Sequence, residues 1–482
     1  MRDALYHLER SRPATLQAQI REVLMDAIAA GQLKPGEAVP STRAMARQLK
    51  VSRNTVTLAY QALVSEGFLA ARERSGFYVD EAAAEGLVEP PAAETAGQGL
   101  DWGPRVVKRM GGLRFIQRPD DWQEAQYPFI YGQVDSEVFP IAEWRDCVRQ
   151  AMGKRWLDAW TLDQYGADDP LLIEQIASRL LPRRGIAAGP ESILITLGAQ
   201  NALYLIAAML AGPETACVVE DPGYPDLRNM LALRSDRIST VPVDQEGMAV
   251  DHRLSGADLV FCTPSHHYPT TVTMSLARRE ALLARAGQAD FVVVEDDYEF
   301  ETNYGGTPQP ALKSLDREGR VIYVGSLSKS LMPGLRLGFI VADPALIDRL
   351  RTLRRLMLRH PPGNNQRAAA LFMANGHYDM LVRRIHRVYR ARWEEMQAAL
   401  EHHLPGWAQV PGFGGSSFWV TGPEGTDSPA IAERALSRGV LIEPGPPFFA
   451  QPERGRPAFR LGFSSIALEQ IPPGIARLAE IL

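Results

Sequence analysis

Lys329 stands in the segment SLSKSLMPGLRLGF, seven residues ahead of Arg336 and just behind Ser326 and Ser328. It follows VIYVG, an apolar run with the composition of a buried strand. An amine at a strand end, with two hydroxyls and an arginine close by, suits a Schiff base to an aldehyde whose phosphate is held alongside. Pyridoxal 5'-phosphate fits that description. Lys329 would carry it, and Arg336, Ser326 and Ser328 would anchor its phosphate. Keeping the pyridine nitrogen protonated calls for a carboxylate at the end of a buried strand. Asp296, after VVVE, fits that role and is preferred to its neighbour Asp297, and Tyr298 would then reach the ring hydroxyl. Gly198, Ala199 and Gln200 lie between the strand run ILIT and the helical run NALYLIAAML, where backbone N–H groups and the helix dipole suit a phosphate. Tyr224 and His266, behind two further apolar runs, are candidates for flanking the ring.

The elements that must position these residues follow from the same pattern. ILIT, CVVE, LVFC, VVVE and VIYVG are short runs rich in β-branched residues, and each ends in a polar or glycine-bearing segment. Alternating with helical patterns, they predict an α/β domain with a largely parallel sheet. Ligands bind such sheets beyond the carboxyl ends of the strands, so five ends can converge on one site.

The first 80 residues read differently. Leu16, Ile20, Val23, Leu24, Ala27 and Ile28 keep helical spacing behind a Thr15 cap, and Gly31 sits where a left-handed stop is wanted. A second helix begins at Ser41 and a third at Ser52, with Val51 and Val56 placed as a hydrophobic staple around that cap. GFL and GFYV then bracket RERS, a hairpin with a basic tip. Helix, helix-turn-helix and hairpin make a winged helix. Ser41, Arg43, Ser52, Arg53, Asn54, Thr55 and Arg74 are its candidate DNA contacts. Arg53, Asn54 and Thr55 open the recognition helix, while Arg43 and Arg74 serve the DNA backbone and the wing.

Composition agrees with this division. Residues 1–80 hold 11 Lys and Arg against 8 Asp and Glu, so a chain with net charge −5 has a positive start and a remainder at −8. Residues 81–100 carry four Glu, no Lys or Arg and few large apolar groups, which predicts a linker. The expected domains are 1–80, a linker over 81–120, and 121–482. No stretch approaches the roughly 20 apolar residues of a membrane span, and a cytoplasmic protein is expected. Cys147, Cys217 and Cys262 are widely spaced with no CxxC, so reduced structural thiols and no metal site are expected.

The segment GQLKPGEAVPSTRAMARQLKVSRNTVTLAYQALVSEGFL resembles the GntR family of DNA-binding proteins. PGYP, TPSHHYPT, EDDYEFE, SLSKSLMPGLRLG and FRLGFSS resemble fold-type I aminotransferases, and the combination resembles the MocR/GabR family of regulators. That resemblance implies a winged helix-turn-helix, a large sheet and a small C-terminal α/β subdomain. It also implies Lys329 as the Schiff-base lysine, Asp296 at the pyridine nitrogen, Arg336 at the phosphate, Tyr224 on the ring, and Arg460 binding an effector carboxylate or sulfonate. A head-to-tail homodimer reading paired half-sites on double-stranded DNA is implied as well, with residues near Tyr131 reaching the partner's cofactor. Three features depart from the pattern. Tyr268 stands where aminotransferases commonly have Asn, Thr271 where many relatives have Gly, and YGADDPLLIEQIA lacks the usual Gly and Arg. With LPRRGI and IEPGPPFF they resemble the branch answering to taurine or ectoine-derived diamino acids.

The resulting reading is a transcriptional regulator whose aminotransferase-like domain is a sensor rather than an enzyme. An amino-compound effector would displace Lys329 to form an external aldimine, with its acid group on Arg460. Two alternatives stay open at this level: an aminotransferase with an appended DNA-binding domain, and a GntR regulator whose large domain is a cofactor-free scaffold.

Overall fold

Thr15, Ser41 and Ser52 open the first three helices by the same chemistry. Each hydroxyl accepts a backbone N–H three residues on, from Ala18 (3.2 Å), Ala44 (3.2 Å) and Thr55 (3.0 Å). The computed structural model describes residues 8–10, 12–72, 75–84, 100–106, 110–303, 309–409 and 414–482. It divides into two units after Val106.

The first unit contains α1 (Leu16–Ala29), α2 (Thr42–Leu49), α3 (Arg53–Ser65) and the hairpin β1 (Leu69–Arg72) and β2 (Gly76–Val79). Gly31 takes the left-handed conformation (φ +68°) behind α1, as its position predicts. Lys50 does the same behind α2 (φ 52°), which keeps the turn into α3 tight. Ile20, Leu24 and Ile28 of α1 meet Met45 of α2, Val56, Tyr60 and Leu63 of α3, and Leu69 and Val79 of the hairpin in one core. Each fully buried side chain of this size contributes about 1.5–3 kcal/mol, enough together to hold so small a unit. Val51 packs on the same core as Val56, consistent with the staple. Arg74 lies outside the described residues.

The second unit is built on an eight-stranded sheet. In chain order its strands are β4 (Ile193–Thr196), β5 (Cys217–Asp221), β6 (Ile238–Asp244), β7 (Gly247–Met248), β8 (Leu259–Cys262), β9 (Val292–Asp297), β10 (Val321–Ser326) and β11 (Gly338–Val341). Their spatial order is β4-β11-β10-β9-β8-β5-β6-β7. Strands β10, β9, β8, β5 and β6 run parallel, while β11 is antiparallel to both β10 and β4. The five apolar runs of the sequence are β4, β5, β8, β9 and β10. Both faces are covered, so alternate residues enter different cores: Ile193 and Ile195 pack on one side and Leu194 on the other.

A smaller antiparallel sheet follows, with β12 (Ala408–Gln409), β13 (Ser417–Thr421), β16 (Ala458–Gly462) and β15 (Glu443–Pro444) in that spatial order. Beside it β14 (Val440–Leu441) pairs in parallel with β3 (Tyr127–Pro128). This is the expected C-terminal subdomain. The three cysteines are free and buried.

The span expected to be a linker divides. Residues 85–99 lie outside the described residues, but Arg114 and Arg118 belong to the second unit. Arg114 donates to the carbonyls of Phe449 (3.1 Å) and Ala450 (3.0 Å) and takes Asn229 Oδ1 through its backbone N–H (3.2 Å). Guanidinium-to-carbonyl anchoring leaves no hydrophobic signature, which is why the end placed at 120 lies too far along.

Candidate functional site

The carboxyl ends of β4, β9 and β10, the segment ahead of the large sheet and two strands of the small sheet converge on a cavity of about 370 Å³. Ala199, Gln200, Tyr224, Asp296, Tyr298, Ser326, Ser328, Lys329, Arg336 and Arg460 all line it. Nine of the eleven expected cofactor residues and the expected effector residue thus come together from segments up to 261 residues apart; the exceptions are Gly198 and His266.

Lys329 follows β10 and places its amine over the ring of Tyr131, 4.3 Å from the centroid. Gly132, at φ +85°, leaves the room: a Cβ there would stand 2.8 Å from the lysine nitrogen. Burial pushes the Lys329 amine down to about 8, with Glu299 opposing the shift. A neutral, nucleophilic amine is therefore accessible near physiological pH.

The two adjacent carboxylates on β9 differ in surroundings. Asp297 is ion-paired with Arg184 (2.6 Å) and accepts the Tyr323 hydroxyl (2.8 Å). Burial works against its charge, but Arg184 and these hydrogen bonds hold it below the usual carboxylate range. Asp296 faces the cavity instead, and its Oδ1 is buried with no hydrogen-bond partner. Burial, with Asp297 next to it, pushes Asp296 up to about 7.

Beside the lysine lies a cradle of donors. Ser326 Oγ accepts the Ser328 N–H (3.2 Å), while Ser328 Oγ is buried without a partner. Ala199 and Gln200 occupy the first turn of the helix Gly198–Leu210, whose free N–H groups favour an anion. Arg336 reaches across and donates to the Leu197 carbonyl (3.1 Å). Gly198, at φ +80°, does not line the cavity but permits that approach, since a Cβ there would sit 3.0 Å from Arg336 Nη2.

Tyr131, Tyr224, Tyr268 and Tyr298 wall the cavity edge to face, with centroids 5.1 to 6.4 Å apart. His266 is not among the lining residues. It is buried beside Asp297, pushed down to about 4 by burial, and so is held neutral behind the site. Tyr268, two residues on, lines the cavity instead. Tyr131 lines the cavity of its own chain.

Arg460, on β16, is buried and ion-paired with Glu443 of β15 (2.8 Å), and it donates to the Tyr268 hydroxyl (2.9 Å). Arg118, Tyr131, Asp226, Tyr268 and Glu443 also line the cavity and were not among the expected site residues. The replacement of Asn by Tyr268 was visible as a departure, and Glu443 sits in the IEPGPPFF segment singled out above, but nothing local marks Arg118.

On the first unit, Ser41, Arg43, Ser52, Arg53 and Asn54 are exposed and Thr55 is half-buried. Arg53 Nε donates to Thr42 Oγ1 (3.3 Å), joining the start of α3 to the start of α2. Ser41 and Ser52 serve as helix caps in addition to any contact they make with DNA.

An open, mainly parallel sheet with a lysine and a carboxylate at adjacent strand ends defines an aminotransferase-like domain, here on the same chain as a helix-turn-helix unit. Residues 140–475 match the family Aminotransferase class I and II, and residues 16–79 match Bacterial regulatory proteins, gntR family. The chain is 46% identical to the HTH-type transcriptional regulator TauR of Rhodobacter capsulatus over 97% of its length and 96% of that protein's. It is 33% identical to the probable rhizopine catabolism regulatory protein MocR of Rhizobium meliloti, over 84% of this chain and 80% of that protein. Among solved structures it resembles LysN, an α-aminoadipate aminotransferase from Thermus thermophilus complexed with N-(5'-phosphopyridoxyl)-L-leucine. The TM-score is 0.68 and the identity 29%, over 76% of this chain and 95% of that one. The chain belongs to the MocR/GabR-type family of gntR-type transcriptional regulators with an aminotransferase class I and II domain. No helix among the described residues is long and apolar enough to cross a membrane.

Proposed function

We propose that this regulator binds pyridoxal phosphate in the cavity and uses it to sense an amino compound carrying an acid group, the sensing event altering its grip on operator DNA. The observation that carries the reading is the joint presence of Lys329, Asp296, Arg336 and Arg460 in the lining of one cavity. The fit is supported by groups that lack partners of their own: Asp296 Oδ1 and Ser328 Oγ are buried and unpaired, and both face that space. The phosphopyridoxyl ligand of LysN supports the same cofactor class.

When bound, pyridoxal phosphate supplies an aldehyde that condenses with amines. The chain's own residues would do the rest. Lys329 provides the resident amine, and Gly132 keeps space for it to move. Asp296 takes the ring nitrogen and Tyr298 the ring hydroxyl, with Tyr224 against the ring face. Ala199, Gln200, Ser326, Ser328 and Arg336 hold the phosphate. Arg460 orients the incoming molecule by its acid group, and the tyrosine walls exclude water. Arg53, Asn54 and Thr55 would read base edges while Ser41, Arg43, Ser52 and Arg74 hold the DNA backbone and groove wall. The regulator would act as a homodimer on paired half-sites.

The test is the visible spectrum of the purified chain with pyridoxal phosphate, recorded before and after adding taurine, a diaminobutyrate derivative and γ-aminobutyrate in turn. A band that one amine shifts supports the reading, and no band at all removes it. The completeness of the lysine and carboxylate set favours one second reading, in which the domain also transfers amino groups. Sustained turnover with a keto acid acceptor would separate that from sensing.

A further inference from the structure

Resting on the reading of Arg460 as the ligand of the acid group, the surroundings of that arginine carry a further step. Three charged side chains meet at its end of the cavity. Arg460 sends both Nε and Nη2 to one oxygen of Glu443, each at 2.8 Å. The register dictates the meeting, because Glu443 on β15 is the direct antiparallel partner of Arg460 on β16. Arg118, from the segment ahead of β3, reaches the other Glu443 oxygen at 3.1 Å and is tethered by the Tyr131 carbonyl at 2.7 Å. Two cations and one anion leave the cluster with a formal charge of +1.

That charge is not met from within the cluster. Arg460 is 1% exposed, and its Nη1 has no hydrogen-bond partner. Its guanidinium lies against the rings of Tyr131 (4.1 Å), Tyr268 (4.5 Å) and Phe448 (4.9 Å), which accommodate a cation without neutralising it. A buried donor left unmade is costly, and an acid group entering the cavity would satisfy it. A second negative charge on that group would face Glu443, which lines the same end of the cavity.

We propose that Glu443 and Arg118 set the charge of the acid group Arg460 accepts, so that the cavity takes an amino compound with a singly charged sulfonate or carboxylate and discriminates against a doubly charged one. Glu443 is a positioning and specificity residue. It aligns both guanidiniums and cancels one of their two charges.

The experiment compares taurine with its phosphonate isostere, 2-aminoethylphosphonate, on the full chain loaded with pyridoxal phosphate at about pH 8, where a phosphate-like group is mostly dianionic. Calorimetry gives Kd for each. The parent is expected to favour taurine by about tenfold or more, and Glu443→Gln, with a cluster charge of +2, to shift the ratio toward the phosphonate by about tenfold or more. A structural lesion would weaken both ligands without moving their ratio. Arg118→Gln is the second variant, chosen because the Arg118 side chain is 28% exposed and tolerates change better. It leaves a neutral cluster and is expected to weaken both ligands about tenfold or more. A parent that binds both ligands equally overturns the proposal. So does an unmoved ratio in Glu443→Gln, or undiminished binding in Arg118→Gln. If the parent binds no amino acid at all, the sensing reading fails, which is a separate outcome.

Discussion

Asp296 and Asp297 are chain neighbours on one strand, yet Asp297 is sealed by Arg184 at 2.6 Å while Asp296 presents an unpartnered oxygen to the cavity. The alternation of side chains along β9 is the cause, since adjacent residues point to opposite faces. One acid is structural and the other is left for a ligand.

The pair predicts opposite responses to neutralisation. Asp297→Asn leaves Arg184 buried without its counter-charge and should destabilise the unit by about 3–5 kcal/mol. Asp296→Asn removes no internal partner. Because the folded state holds the Asp296 proton up to about pH 7 against an ordinary value of 3.8, the folded chain binds more protons than the unfolded one in that window. Its carboxylate therefore lowers stability as pH rises from about 4 to 7, and the Asn variant without cofactor should melt higher than the parent at pH 8 but not at pH 4. Calorimetric melting at the two pH values checks both variants.

Lys329→Ala should lose the visible band that reports covalently attached pyridoxal phosphate while keeping operator affinity within about threefold, because the two functions sit on separate units. Absorbance and a gel-shift titration on the same preparation measure the two. A variant that keeps the band removes Lys329 from its assigned role.

Gly132→Ala places a Cβ 2.8 Å from the Lys329 amine at a backbone angle of +85°. The strain should cost about 1–3 kcal/mol. It should also slow uptake of pyridoxal phosphate, observable by stopped-flow absorbance. Uptake at the parent rate would show that the lysine does not need that space.

Arg53→Ala should weaken operator binding by about 1–3 kcal/mol if Arg53 reads a base, with the visible spectrum unchanged. Ser52→Ala removes the cap of α3 and should cost the first unit about 1 kcal/mol, seen as an earlier thermal transition. Equal affinity in Arg53→Ala takes that residue off the DNA surface.

Much of this arrangement was legible from local pattern. The caps at Thr15, Ser41 and Ser52 and the five strands β4, β5, β8, β9 and β10 all rest on short-range rules of hydrogen bonding and apolar patterning. Positions that depend on how a loop turns after its strand were not accessible in that way. His266 and Tyr268 leave β8 only two residues apart, yet one is buried behind Asp297 and the other faces the cavity. Strands β6, β7 and β11 and the small sheet carry weaker apolar runs and appear only through pairing. Arg118 and Glu443 lie 325 residues apart and meet through the small sheet, so neither advertises the other.

The most direct measurement is operator affinity of the full chain loaded with pyridoxal phosphate, with and without a saturating amine that shifts its spectrum, beside Lys329→Ala treated identically. Sensing through the cavity predicts a change of about tenfold or more in the parent, a coupling of about 1.4 kcal/mol, and none in the variant. Equal affinity with and without bound amine, or the same shift in Lys329→Ala, would contradict it.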